Sequence, residues 1–174
     1  MKIRSDSPQE KTPVSNQKIK VIGLISDTHG LLRQEALEAL GGSDLIIHAG
    51  DVGDPQILDE LRRVAPLVVV KGNIDTEVWS ANLPQTAVAQ AGSALIFVVH
   101  DLNALNLDPA AAGIHMVVSG HSHKPSRQDR DGVLYVNPGS AGPRRFSLPV
   151  SLARVDLRRV PWTIDFVELI PRTS

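Results

Sequence analysis

The chain reads as an α/β protein in which two β-sheets pack in layers with helices outside them. Three observations predict this. Between residues 19 and 71, short Val- and Ile-rich runs alternate with amphipathic stretches at helical spacing, the pattern of a βαβαβ unit. After Trp79 short apolar runs are separated by turn residues, which predicts a second, largely antiparallel set of pairings. Apolar residues make up 42% of the 174, enough for one domain of this length to bury a sizeable core.

The elements follow in order. Residues 1–17 are polar, contain Ser5, Ser7, Pro8, Pro13 and Asn16, and have no apolar stretch. They are expected to form a disordered tail rather than a signal peptide or strand, leaving residues 18–174 as the domain. Residues 19–26 form the first predicted strand. Leu31, Leu32, Glu35, Ala36, Glu38, Ala39 and Leu40 predict a short helix, which Gly41-Gly42 can stop in a left-handed conformation. Residues 44–48 are the second strand. Asp54 can cap a helix with Pro55 at its first position and Ile57, Leu58, Leu61 and Val64 on its buried face, ending before Pro66. Residues 67–71 are the third strand. Right-handed crossovers then make these strands parallel.

In the second half, residues 86–90 and 94–99 flank Ala91-Gly92-Ser93, which reads as a hairpin turn. Asp108-Pro109 predicts the start of a short Ala-rich helix. Residues 115–119, 133–137, 150–157 and 163–169 are further predicted strands. The first-half helices are expected to cover one sheet and the helix near Ala110 the other. Residues 102–109 and 126–132 are loops whose shape the pattern does not predict.

Composition narrows the partners. Eighteen basic against nineteen acidic residues give a net charge of −1, and no Lys/Arg cluster with interleaved aromatics marks a nucleic-acid footprint. The chain has no cysteine, which excludes disulfides and thiolate metal sites and fits a reducing, cytoplasmic compartment. Apolar runs such as residues 94–99 fall far short of the ~20 residues a membrane span needs. Homo-oligomerisation is left open.

Asp27, His29, Asp51, Asn73, His100, His121 and His123 each follow a predicted strand, at the sheet edge where ligands bind in open α/β folds. All seven can ligate a metal. Asp27 and His29, two residues apart, can point the same way and reach one ion about 2.0–2.2 Å from each. An Asp here can equally cap the following helix. Asp51 sits in the Gly-rich turn His48-Ala49-Gly50-Asp51-Val52-Gly53-Asp54 and could bridge two ions, whereas Asp54 is better placed as a helix cap. Asn73 offers a neutral carbonyl oxygen, although Gly-Asn also suits a plain surface turn. His121 and His123 repeat the spacing of Asp27 and His29. Each feature alone has an ordinary structural explanation; their coincidence points to a site for two metal ions. His48 is a candidate to hydrogen-bond near it or to be a buried structural histidine. His115 reads as structural, and Arg144, Arg145 and Lys124 as surface cations unless their loops fold over the site.

In this order Asp27-Thr28-His29, Gly50-Asp51, Gly72-Asn73, His100 and Gly120-His121-Ser122-His123 resemble the calcineurin-like metallophosphoesterases, in particular their small single-domain bacterial and archaeal phosphodiesterase branch. Asn137-Pro138-Gly139-Ser140 resembles the turn this branch places after its last metal block. The resemblance implies a four-layered αββα sandwich of two mixed sheets. It also implies two divalent cations (Mn, Fe, Zn or Ni), with Asp27, His29, Asp51 and His123 on one, Asp51, Asn73, His100 and His121 on the other, and Asp51 as the bridge. The implied catalytic set is Asp51, Asn73 and His100. The implied activity is hydrolysis of a phosphate ester by a metal-bound hydroxide, with phosphodiesters favoured. A phosphatase for a small phosphorylated metabolite and a non-catalytic scaffold are the alternatives, since a eukaryotic sorting-complex subunit shares the fold.

Two departures stand out. Many members carry a histidine after the Asn, able to protonate the leaving oxygen; here Ile74 cannot, and a missing general acid costs ~10²–10⁴-fold for a poor leaving group. The small-phosphodiesterase branch also lacks that histidine. Asp101 follows His100 where the family typically has glycine, and Asn103 stands where a further histidine is common. Asp75 is a candidate orienting group, with a turn or cap role as its alternative.

Overall fold

β1 (Val21–Ile25) and β2 (Leu45–His48) carry no acidic residue and are almost wholly buried, as strands covered on both faces must be. In the computed structural model, which describes residues 18–171, they pair in parallel with Ile25 opposite His48. β3 (Leu67–Val69) adds to β2, also in parallel. The expected N-terminal tail lies outside the described residues. The crossovers are α1 (Gln34–Leu40) and α2 (Pro55–Val64). α1 begins three residues later than the apolar spacing predicts, because Arg33 is extended at φ −82 and ψ 148. α2 is as expected: the Asp54 carboxylate accepts the Gln56 N–H at 2.8 Å and Pro55 opens the helix.

The second sheet is built from β4 (Thr86–Ala91), β5 (Ala94–Val99), β6 (Met116–Val118), β7 (Ser126–Arg130) and β8 (Val133–Asn137) in the order β4-β5-β6-β8-β7. β5, β6 and β8 run parallel, with antiparallel β4 and β7 at the edges. β7 falls where no element was expected. It turns back into β8 through Asp131 and Gly132, both at positive φ (52 and 77), the two-residue turn whose twist suits a hairpin. β9 (Ser151–Asp156) and β10 (Thr163–Glu168) return to the first sheet, giving β10-β9-β1-β2-β3 with β9 antiparallel to β1.

Alternation along the strands divides the core. Ile22 and Leu24 of β1, Leu45 and Ile47 of β2, and Ile96 and Val98 of β5 meet between the sheets. On the other face of the first sheet, Ile25 and Ile46 pack against Ala36 and Leu40 of α1 and Ile57, Leu58 and Leu61 of α2. The expected α/β sandwich of two mixed sheets is present, but β5, β6 and β8 pair in parallel where antiparallel pairing was expected, and the outer layer on the second sheet is not helical. No helix forms near Ala110. Asp108 caps a turn by accepting the Ala111 N–H at 3.2 Å, and Gly113 closes it at φ 72. The outer face of the second sheet, at Phe97, Val99, Val117 and Val133, is instead covered by Leu105, Leu107 and Ile114 beyond a 3-10 turn at Leu102–Ala104.

Candidate metal centre

The loops after β1, β2, β3, β5 and β6 meet, and they carry all seven side chains singled out above. Five of the seven have left-handed backbones: Asp27 (φ 54), His29 (46), Asp51 (55), His121 (68) and His123 (59). L residues rarely adopt this region, and its cost is tolerated where surrounding bonds fix it. Those bonds are present. Asp27 N–H donates to the Gly50 carbonyl and His29 N–H to the Asp51 carbonyl, each at 3.0 Å, and Gly120 N–H donates to the His100 carbonyl at 2.9 Å. Gly72 is required sterically, since a Cβ there would lie 2.1 Å from both the Asp51 amide nitrogen and its Oδ1.

One group of donors gathers around Asp27, which is wholly buried. Its Oδ2 accepts from Ser26 Oγ at 2.7 Å and from His121 N–H at 3.1 Å, while Oδ1 is buried without a hydrogen-bond partner. That orphaned oxygen lies 3.2 Å from His123 Nε2 and 3.8 Å from His29 Nε2, and the two imidazole nitrogens are 3.2 Å apart. Asp51 Oδ2 is 3.6 Å from His29 Nε2. Donors about 2.1 Å from one ion stand about 3–3.5 Å from each other, so these spacings fit a shared cation. Burial lowers the proton affinity of His29 despite the nearby Asp51 and Asp27 carboxylates, and the positive charge of Arg145 lowers it further. A neutral imidazole keeps the lone pair a metal needs.

The second group surrounds the same Asp51 oxygen. His100 Nε2 is 3.3 Å from Asp51 Oδ2 and 3.0 Å from Asn73 Oδ1, and Asn73 Oδ1 is 3.1 Å from His121 Nδ1. His100 Nδ1 lies 2.7 Å from the Ala49 carbonyl, which assigns the proton there and turns Nε2 toward the two oxygens. Burial alone would lower the proton affinity of His100, but Asp51 and the Ala49 carbonyl together raise it: positive charge is favoured where this nitrogen points. Asp51 would be raised by burial, yet His100 and the Ile74 N–H outweigh this and keep it low and ionised. The carboxylate, imidazole and amide donors gathered here fit the binding of divalent metal. Asp27, Asp51, His100 and His123 are buried, whereas Asn73 and His121 are exposed, so the site opens on the Asn73–His121 side. Asp101 stands there, its Oδ2 3.9 Å from His121 Nε2.

Several supporting residues had no sequence signal beyond their place in a turn. Asp75 neither caps a helix nor faces the opening. It is buried, and its carboxylate accepts N–H groups from Val52 (3.2 Å), Gly53 (3.0 Å) and Gly72 (2.9 Å), tying the Asp51 loop to the Asn73 loop. Asn137 Nδ2 donates to the Gly120 carbonyl at 2.8 Å and Ser140 Oγ to the Asp27 carbonyl at 2.9 Å, so the Asn137–Ser140 turn braces two metal-centre loops. His48 is fully buried, 3.0 Å from Thr28 Oγ1, and burial pushes its pKa down to about 4. His115 is structural, its Nδ1 accepting the Leu95 N–H at 3.1 Å.

Two mixed sheets with a carboxylate–imidazole cage at their strand ends define a metal-binding α/β sandwich. Residues 21–159 match the calcineurin-like phosphoesterase superfamily domain, and the chain belongs to that family of hydrolases. It is 37% identical over 133 residues to a probable metallophosphoesterase of Methanocaldococcus jannaschii, covering 69% of this chain and 67% of that one. Among solved structures, an archaeal phosphodiesterase superposes with a TM-score of 0.72 at 20% identity, covering 84% of this chain and 99% of that one. Vps29 of Chaetomium thermophilum superposes with a TM-score of 0.70 at 18% identity, covering 85% and 97%. At these identities the two superpositions speak for the fold. No helix among the described residues is long and apolar enough to cross a membrane.

Proposed function

We propose that this chain is a dinuclear metal-dependent phosphodiesterase, one domain over residues 18–174, with Asp27, His29, Asp51 and His123 on one cation and Asp51, Asn73, His100 and His121 on the other. The observation that carries this reading is that Asp51 Oδ2 lies between His29 Nε2 (3.6 Å) and His100 Nε2 (3.3 Å), beside the orphaned Asp27 Oδ1. When bound, two divalent cations would polarise the phosphoryl oxygens and make a water acidic enough to attack near neutral pH. The chain's own residues do the rest. Asp51, held ionised, balances positive charge between the two clusters. Asn73, as a neutral ligand, leaves the open side less anionic than a carboxylate would. Ile74 places no proton donor beside the leaving oxygen, and Asp101 next to His121 adds negative charge at the opening. The first disfavours esters with poor leaving groups, and the second disfavours a dianionic monoester relative to a monoanionic diester.

The test is hydrolysis of bis-p-nitrophenyl phosphate and p-nitrophenyl phosphate by metal-stripped protein reconstituted with Mn²⁺, beside an Asp51→Ala control. Diester turnover well above monoester turnover, lost in the control, supports the reading. Preferential monoester turnover moves the small-metabolite phosphatase ahead, and inactivity on both esters across Mn²⁺, Fe²⁺, Zn²⁺ and Ni²⁺ moves the scaffold ahead.

A further inference from the structure

His48 and Thr28 ligate nothing, yet their hydrogen bonds form a chain whose direction the donors fix. Gly50 N–H donates to His48 Nδ1 at 3.2 Å, so this nitrogen carries a lone pair and the proton of the neutral ring sits on Nε2. That Nε2–H faces Thr28 Oγ1 at 3.0 Å, and the Thr28 hydroxyl donates in turn to the Val52 carbonyl at 2.9 Å. Both side chains are fully buried, so losing one member leaves its neighbours unpaired.

The chain joins two metal-centre loops at the points where their backbones are least relaxed. Thr28 stands between Asp27 (φ 54) and His29 (φ 46), while Gly50 and Val52 flank Asp51 (φ 55). Left-handed backbones at non-glycine residues persist only where the surroundings over-determine them. Backbone bonds from Asp27, His29 and Gly30 to Gly50, Asp51 and Val52 set the register of the two loops. The His48–Thr28 chain adds a side-chain tie at the residue between the two ligands. Asp75 does the corresponding work on the other side, where it joins the Asp51 loop to the Asn73 loop. The Asp51 loop is thus braced separately toward each of its neighbours.

We infer that His48 and Thr28 are positioning residues for one cation of the pair: their chain holds the Asp27–His29 loop against the Asp51 loop and so sets the affinity of the cation taken by Asp27, His29, Asp51 and His123. The Asn73 side is left to Asp75. The inference rests on the dinuclear reading above and deepens it, because it makes the two cations separately tunable from behind. Groups that orient metal ligands in this way are worth about 10–100-fold in metal affinity.

The experiment is calorimetric Mn²⁺ binding to the full chain in two backgrounds, each lacking a ligand of one cluster. Asn73→Ala leaves the Asp27–His29 cluster intact, and His29→Ala leaves the Asn73–His121 cluster intact. Thr28→Val keeps the shape of the side chain and removes its hydroxyl. It should weaken Mn²⁺ about 10–100-fold in the Asn73→Ala background and change nothing in the His29→Ala background. Thr28→Ser, which keeps the hydroxyl, should bind as its parent does. His48→Asn retains an acceptor for Gly50 N–H but is too short to reach Thr28; it should repeat the effect of Thr28→Val, and serves where that variant fails to fold. Combined, the two substitutions should weaken binding no more than either alone, since both break the same chain. In ¹⁵N NMR of the metal-free protein, His48 should carry its proton on Nε2. An equal fall in both backgrounds, as general loosening would give, overturns the inference, as does no fall in either or a His48 proton on Nδ1. A wild type that binds fewer than two Mn²⁺ ions overturns the dinuclear reading and the inference with it.

Discussion

Asp75 offers the sharpest test of how the metal centre is held in shape. Its buried carboxylate accepts three backbone N–H groups, from Val52 and Gly53 on the Asp51 loop and from Gly72 on the Asn73 loop. Leaving a buried donor unpaired costs about 1–3 kcal/mol each, so loss of all three bonds in Asp75→Ala should destabilise by about 3–9 kcal/mol. That is a large share of the ~5–15 kcal/mol by which a domain is stable. Asp75→Asn is the gentler variant. It keeps one acceptor oxygen but turns an NH₂ toward a backbone N–H, and should cost about 2–3 kcal/mol. Since Gly72 N–H and Ile74 N–H bracket Asn73, and the latter also bonds Asp51 Oδ1 at 3.0 Å, loosening the clamp should also misplace two of the donors. Mn²⁺ affinity should fall about 10–100-fold, as when groups that orient metal ligands are removed. Urea unfolding of the metal-free protein reads the first effect and a Mn²⁺ titration the second. A metal-free midpoint and a Mn²⁺ affinity both equal to wild type in Asp75→Asn would refute the reasoning.

Three further outcomes are expected. Buried His48, with a pKa of about 4 when folded against 6.5 when unfolded, takes up its proton more readily in the unfolded chain, so its contribution is complete above pH 6.5 and is lost as pH falls toward 4; this amounts to about 2 kcal/mol between pH 7 and pH 5, and urea midpoints across that range should fall less steeply in His48→Gln. Mn²⁺ at a hundred times its dissociation constant should stabilise the protein by about 2.7 kcal/mol, a gain that EDTA reverses in thermal melts and that Asp51→Ala lacks. Gly72→Ala drives a methyl group into the Asp51 amide and carboxylate, and should abolish Mn²⁺ binding in calorimetry even where circular dichroism shows the fold retained.

The residues differ in how much of this they announced. The α2 cap at Asp54-Pro55 and the strands of the βαβαβ unit follow from local chemistry, and the structure places them within a residue or two of expectation, apart from the shorter β3. All seven site candidates were legible because each ends an apolar run, and the structure brings them together. Their left-handed backbones were not legible: Asp and His adopt that region only when neighbouring loops impose it, and those loops come from five different strands. The Asp75 clamp and the Ser140 brace are likewise bonds between segments far apart in sequence. Near Ala110, Asp108-Pro109 and the alanines favour a helix, but Gly113 closes the segment after one turn. β7 was missed despite a clear local signal, the Asp131-Gly132 pair. Periodicity alone also could not tell that β9 and β10 return to the first sheet.

The central claim is that Asp51 bridges two cations, and electron paramagnetic resonance during Mn²⁺ titration of the metal-stripped protein tests it most directly. The account predicts saturation at two ions per chain with an exchange-coupled spectrum, replaced in Asp51→Ala by the spectrum of isolated Mn²⁺. Saturation at one ion, or a coupled pair that survives the loss of Asp51, would contradict it.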